Sequence, residues 1–157
     1  MTTPVFDRIR ELLDRERIPY DCKEHPPVFT SQEAAEVRGV SLTQGAKALV
    51  LHVDKSHYLL AVLSAAKQAD LGKLRTHLGA KKVALATPEE VLRQTGCTIG
   101  SVPPFGSVLG LPMVVDPSLG ENEMIAFNPG SHVHSILMPY TAYVRVCAPE
   151  VVAFAKS

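Results

Sequence analysis

Lys47 opens the apolar run KALVLHV. In a strand, alternate side chains share a face, which sets Lys47 with Leu49, Leu51 and Val53 and leaves Ala48, Val50 and His52 on the other. A lysine on an apolar face is unusual, because an ammonium resists burial without a partner. Two readings fit. The stem lies along apolar surface with its head in water, or the amine is a cation fixed at the mouth of a pocket.

A second candidate is the stretch GCTIGSVPPFG at residues 96–106. Gly100 can take backbone angles closed to other residues. Pro103 and Pro104 fix their own φ and push the residue before each toward extended forms. The loop is therefore stiff, and the amides of Ser101 and Val102 have no ladder to use them. Free amides in a rigid loop can cradle a carbonyl or an oxyanion. The plainer reading is a Pro/Gly turn. Cys97 and Ser101 are possible nucleophiles, but neither has a base nearby in sequence, which disfavours covalent catalysis.

The third candidate is NPGSHVHSI at residues 128–136. Asn-Pro-Gly signals a turn, and alternation then sets His132 and His134 on one face of a strand. His-x-His on a strand can bind metal. A third ligand such as His25 would have to come from afar, and no carboxylate stands at a telling spacing. A polar substrate contact or a satisfied structural histidine is favoured, so neither a metal nor a cofactor is expected. Nothing matches the glycine-rich phosphate loops.

These residues need a scaffold. The chain has 157 residues, enough for about one domain spanning 1–157. Apolar residues make up 46% and charged residues 20%, which excludes disorder, collagen and coiled coil. Sixteen basic residues balance sixteen acidic ones, which argues against DNA or any nucleic acid held on a broad basic surface. A small contact with one end of an RNA stays open. Lys73, Arg75, His77, Lys81 and Lys82 form a local basic stretch, read as a solvated face. There is no transmembrane run and no apolar signal core at the N-terminus. Cys22, Cys97 and Cys147 are odd in number and far apart, which fits a reducing cytoplasm.

Apolar residues at helical spacing predict a helix over 5–17, ended by Pro19. Capping boxes at Thr30 and Thr87 open two more, a fourth covers 70–78, and a late helix covers 139–147. The apolar runs 47–53 and 58–64 predict a hairpin of buried strands. Further strands are expected at 83–86, 112–115, 124–128 and 132–138. The class is α+β, with one mixed, curved, partly closed sheet flanked by short helices.

Taken together, EHPPVFTSQEAAEVRGV, GAKALVL with Lys47, the G-x-x-x-P loop from Gly100 to Pro104, and PGSH with His132 resemble the YbaK/ProX family of aminoacyl-tRNA deacylases. That family is similar to the editing domain of bacterial prolyl-tRNA synthetases. The resemblance runs from about residue 18 to residue 147. It implies hydrolysis of the ester joining a wrong amino acid to the 3′ end of a tRNA, with a synthetase as a further partner. It assigns Lys47 as the functional lysine, and Gly100 and Pro104 to the loop at the aminoacyl end. It sets His132, within Gly130-Ser131-His132, close to the substrate.

Catalytic roles are therefore expected for Lys47, Gly100, Ser101 and His132. Substrate contacts are expected from Val102, Pro103, Pro104, Gly130, Ser131 and His134. The loop is followed by FGSVLGLP, without the Asn-Asp pair common in prolyl-editing chains. That departs from the prolyl-tRNA pattern. A hydrophobic pocket rejects larger side chains by clash, so a small amino acid is expected (serine, threonine, alanine or proline). An aminoacyl ester is already activated, and no evident base is present, so the substrate's own ribose 2′-hydroxyl is expected to assist the water. The competing readings are a non-catalytic module that binds aminoacyl-tRNA or a synthetase, and a metal hydrolase on His132 and His134.

Overall fold

The computed structural model describes residues 3–157, so the first two residues of the expected domain lie outside it. The N-terminal periodicity forms α1 (Pro4–Arg15), which buries Val5, Phe6, Ile9 and Leu13. Thr3 caps it by accepting the Phe6 N–H at 3.1 Å. Pro19 does not end this helix. The Ile18 N–H donates to Leu13 O and the Arg17 N–H to Asp14 O, with Arg17 at φ 57°. This is the Schellman exit, in which one left-handed residue turns the chain off the helix axis.

Both predicted capping boxes are present. Thr30 with Glu33 caps α2 (Ser31–Arg38), and Thr87 with Glu90 caps α4 (Pro88–Thr95). Between them lies α3 (Leu71–Leu78), and later α5 (Gly106–Leu109) and α6 (Tyr140–Cys147).

The two apolar runs pair as an antiparallel hairpin, β2 (Ala46–Val53) against β3 (His57–Ser64), with Lys47 opposite Leu63. β4 (Val83–Leu85) joins β2 antiparallel, β5 (Met113–Val115) joins β3 parallel, and β8 (Glu150–Val151) joins β5 parallel. The pleat explains the unbroken apolar sequence of β3. Leu60 and Val62 face a core shared with Ile9, Leu13 and Phe127, while Leu59, Ala61 and Leu63 face another with Leu74 and Phe154. Both faces of β3 are covered from Leu59 to Ser64, so neither needs polar residues there.

The α+β class holds, but the single, partly closed sheet does not. β1 (Asp21–Glu24), β7 (His134–Pro139) and β6 (Met124–Phe127) form a separate antiparallel sheet, and neither sheet closes. The two touch at one parallel bridge, Gly45 with Ala126. A 3₁₀ turn, Leu42–Gln44, occupies the seam, and Gln44 Nε2 donates to Met124 O at 3.3 Å. A side chain there takes a carbonyl that continued pairing would have used.

The basic stretch serves this scaffold. Lys73 Nζ donates to Ala155 O at 2.9 Å, and the Lys81 and Lys82 amides donate to Asp54 Oδ1. No helix among the described residues is long and apolar enough to cross a membrane.

Candidate active site

Beside the Gly45–Ala126 bridge lies a cavity of about 230 Å³. Its walls are the start of β2 from Gly45 to Leu49, the segment from Phe29 into α2, the loop at Ile99, Gly100 and Val102, and Asn128 after β6. The seam between the sheets thus makes the concavity. Small side chains (Ala34, Ala46, Ala48 and Ala65) keep it open.

Lys47 lines this cavity and is half-buried. Its Nζ donates to Lys67 O at 2.6 Å. Burial pulls its pKa below the ordinary lysine value. The structure thus places Lys47 in the cavity wall with its amine tied to a backbone carbonyl.

A second cation, which the sequence reading did not single out, lies in the same wall. Arg38, at the end of α2, is mostly buried, and desolvation brings its pKa down to about 10. It remains charged at neutral pH and meets no carboxylate among the described residues. Its Nε donates to Ser135 Oγ at 2.8 Å and its Nη2 to Asn128 Oδ1 at 2.6 Å. Asn128 Nδ2 in turn donates to Gly100 O at 3.1 Å.

The G-x-x-x-P loop is held at Gly100, Ser101 and Pro104. The Ser101 N–H donates to Thr98 O at 3.0 Å, closing a turn whose third residue, Gly100, has φ +89°. A turn of that kind calls for glycine there. The Ser101 carbonyl accepts the Gly130 N–H at 2.8 Å, and the Pro104 carbonyl accepts the Tyr143 hydroxyl at 2.7 Å. The expectation of two free amides is thus half right. Ser101 has spent its amide on the turn, whereas the Val102 N–H makes no hydrogen bond among the described residues. Val102 is 7% exposed and lines the cavity.

Several expected site residues stand behind the wall rather than in it. Ser101 is buried, and its hydroxyl donates to Thr98 O at 2.8 Å. Pro103 and Pro104 are buried at the back of the loop. Gly130 sits under the start of α1, where an added Cβ would meet Thr3, Val5 and Cys97. Ser131 pairs with His134 Nδ1 at 2.9 Å and accepts the Val133 N–H.

His132 and His134 do not share a strand face, because β7 begins only at His134. His134 turns to Phe6, with ring centroids 4.7 Å apart, and to Glu24. His132 packs on Phe29, which is 70% exposed at the cavity rim, with centroids 4.8 Å apart. His25 is tied to Pro26 O and Ser135 Oγ. The three histidines considered as metal ligands therefore each have other partners. No cluster of three potential metal ligands occurs among the described residues.

A family model described as the aminoacyl-tRNA editing domain matches residues 25–146. The chain belongs to the aminoacyl-tRNA editing domain family. The resemblance read from the motifs is borne out. This editing domain is 38% identical over 154 residues to the "Multifunctional Ser/Thr-tRNA deacylase ProXp-y" of Escherichia coli K12, covering 96% of this chain and 92% of that one. It is 27% identical to the "Prolyl-tRNA editing protein ProX" of Acetoanaerobium sticklandii, covering 82% and 81%. It is also 33% identical over 94 residues to a stretch forming 16% of the proline–tRNA ligase of Thermotoga neapolitana. A solved structure reported as a candidate trans-editing enzyme for prolyl tRNA synthetase superposes with a TM-score of 0.85 at 26% identity, covering 100% of both chains.

No local pattern in the sequence singles out Arg38, because a basic residue in the last turn of a helix is a common placement.

Proposed function

We propose that this editing domain is a trans-acting hydrolase that frees a small amino acid from the 3′ end of a mischarged tRNA in the cytoplasm. The observation that carries the reading is the cavity. Two cations, Val102 with its unpaired amide, and an exposed aromatic ring at the rim line one concavity walled by small residues. Similarity to a relative named a Ser/Thr-tRNA deacylase favours serine and threonine as the acyl groups, ahead of alanine and proline.

The reaction is the attack of water on the ester carbonyl. The bond between the carbonyl carbon and the ribose oxygen breaks, that oxygen takes one proton of the water, and the amino acid leaves as its carboxylate with the second proton released to solvent. The Val102 N–H is the donor for the oxygen that becomes negative in the transition state. One such donor is worth roughly 10²–10³ in kcat. Lys47 holds the ribose or terminal phosphate. Phe29, backed by His132, offers a stacking face to a terminal base.

In this reading His132 serves as a brace for the loop rather than as the general base. Its Nδ1 lies 3.0 Å from the Val28 carbonyl, which can only accept, so Nδ1 carries the proton. Its Nε2 then takes the Thr98 hydroxyl at 2.8 Å. With no free base in the cavity wall, the substrate's 2′-hydroxyl is the group left to orient the water.

The test is deacylation of tRNAs charged with Ser, Thr, Ala and Pro, on cognate and non-cognate tRNAs, beside Lys47→Ala. Selective hydrolysis that collapses in the variant is expected. A folded wild-type protein that cleaves none of these esters overturns the reading and favours a non-catalytic module that binds aminoacyl-tRNA or a synthetase.

A further inference from the structure

A directed chain of hydrogen bonds runs behind the cavity, from Pro26 to Gly100. The His25 Nδ1 lies 2.8 Å from Pro26 O, so it donates, and His25 Nε2 accepts the Ser135 hydroxyl at 2.8 Å. Ser135 Oγ accepts from Arg38 Nε, and Asn128 Oδ1 accepts from Arg38 Nη2. A guanidinium can only donate. The face of Asn128 turned to Arg38 must therefore be its oxygen, which leaves the amide nitrogen for Gly100 O. A side-chain amide is otherwise free to swap its oxygen and nitrogen by rotation. Here the charge decides the orientation.

Resting on the editing reading above, we infer that Arg38 and Asn128 are a positioning pair: Arg38 fixes the Asn128 amide so that it holds the Gly100 carbonyl, which keeps the Val102 N–H aimed into the cavity. Gly100 and Val102 lie on either side of Ser101, whose own amide is locked to Thr98. The Gly100 carbonyl shares a peptide plane with the Ser101 N–H, and the Ser101 carbonyl shares the next plane with the Val102 N–H. Asn128 and Thr98 hold the first plane and Gly130 holds the second, so losing the Asn128 donor loosens the first plane and, through Ser101, the aim of the oxyanion donor. The pair contributes to the transition state more than to substrate binding, because its last link reaches a backbone carbonyl and not the bound tRNA. Arg38 is charged throughout the working pH range, so the arrangement does not switch with pH. A merely structural arginine would tolerate any neighbour that satisfies its charge. A positioning pair also requires a donor toward Gly100.

The two demands separate in Asn128→Asp. The carboxylate is nearly isosteric and pairs with Arg38 better than the amide does. Toward Gly100 O it presents an oxygen where a donor stood. The experiment measures kcat, KM and the melting temperature for the tRNA substrate that the wild type hydrolyses best, with Asn128→Asp and Arg38→Lys. For Asn128→Asp, a melting temperature at or above wild type is expected. Its kcat should fall by roughly 30-fold or more, approaching the loss of one oxyanion donor, with KM changed less than about threefold. For Arg38→Lys, one ammonium replaces a fork that serves two acceptors, and a smaller fall in kcat is expected. An Asn128→Asp protein that melts as wild type and keeps kcat within about threefold overturns the inference. So does a loss confined to KM. A wild-type protein that cleaves no aminoacyl-tRNA sinks the editing reading itself, before any variant is compared.

Discussion

Thr98 Oγ1 lies 2.8 Å from His132 Nε2, and this contact fixes what His132 can do. With Nδ1 held by Val28 O, both ring nitrogens are engaged. The imidazole spans from the segment before α2 to the turn that opens the G-x-x-x-P loop. An added Cβ on Gly100 would sit 3.5 Å from its Cε1. His132 therefore braces the loop from behind, while Phe29 covers its outer face.

Thr98→Val removes the hydroxyl and keeps the shape. If His132 were a base restrained by Thr98, freeing Nε2 would raise kcat. The bracing role predicts the opposite. Stability should fall by about 1 kcal/mol, the usual net worth of one hydrogen bond, and kcat should fall with it. Thr98→Ser should retain both. Melting curves and steady-state deacylation of the three proteins decide between the roles, and a faster Thr98→Val enzyme counts against bracing.

Lys47 should oppose folding at neutral pH. Burial disfavours its charged form, so its folded pKa lies below its unfolded value. Between those two values the unfolded chain binds more protons than the folded one, and stability rises with pH across that window. At pH 7, below both values, the cost is fully present. Lys47→Met should thus melt no lower than wild type at pH 7, despite losing the 2.6 Å bond to Lys67 O. Any advantage it has should shrink as pH climbs toward the ordinary lysine range. Its deacylase activity should be lost. Melting temperatures at pH 7 and pH 10 check the sign, and a clear drop in stability at pH 7 refutes it.

Gly100→Ala should be costly for a backbone reason. With φ at +89°, a Cβ strains the turn whatever space surrounds it, by roughly 1–2 kcal/mol. The turn relaxes by rotating the peptides that aim the Val102 N–H, so kcat should fall further than stability alone implies. Gly79→Ala is the control. That glycine is also left-handed, at φ +64°, has nothing within 4 Å, and closes α3, none of whose residues line the cavity. Equal losses of kcat in the two variants would remove the link between loop geometry and rate.

The hairpin, the capping boxes and the G-x-x-x-P loop were legible in the sequence because each rests on local rules: periodicity, a fixed spacing of cap residues, and glycine beside prolines. β1 was not legible. Its residues, Asp-Cys-Lys-Glu, are all exposed, so no alternation marks them. It exists because β7 offers it a partner. Alternation puts His132 and His134 on one face only where a strand holds both, and β7 begins at His134. Arg38 looked like a basic residue in the last turn of a helix, a common placement that favours the helix dipole. Asn128 looked like part of a turn. Their meaning is a contact across 90 residues, and no local rule reports it.

The proposed assistance by the substrate's ribose can be tested on the substrate itself. Ser101 has committed its hydroxyl proton to Thr98 O, and both His132 nitrogens are occupied. Lys47 is the remaining titratable group among those expected to be catalytic, and it is a donor engaged with Lys67 O. If the 2′-hydroxyl orients the water, a 2′-deoxy terminal nucleotide carrying its amino acid on the 3′-oxygen should be cleaved more slowly. The loss should fall within the roughly 10²–10⁴-fold range of general acid–base assistance. Its binding, read as competition against the normal substrate, should change far less, since one hydroxyl among the contacts of a whole tRNA end is removed. Cleavage of the deoxy substrate at the normal rate would place the missing base in the protein. Thr98 and His132, exchanging their proton when substrate arrives, would then be the first pair to test.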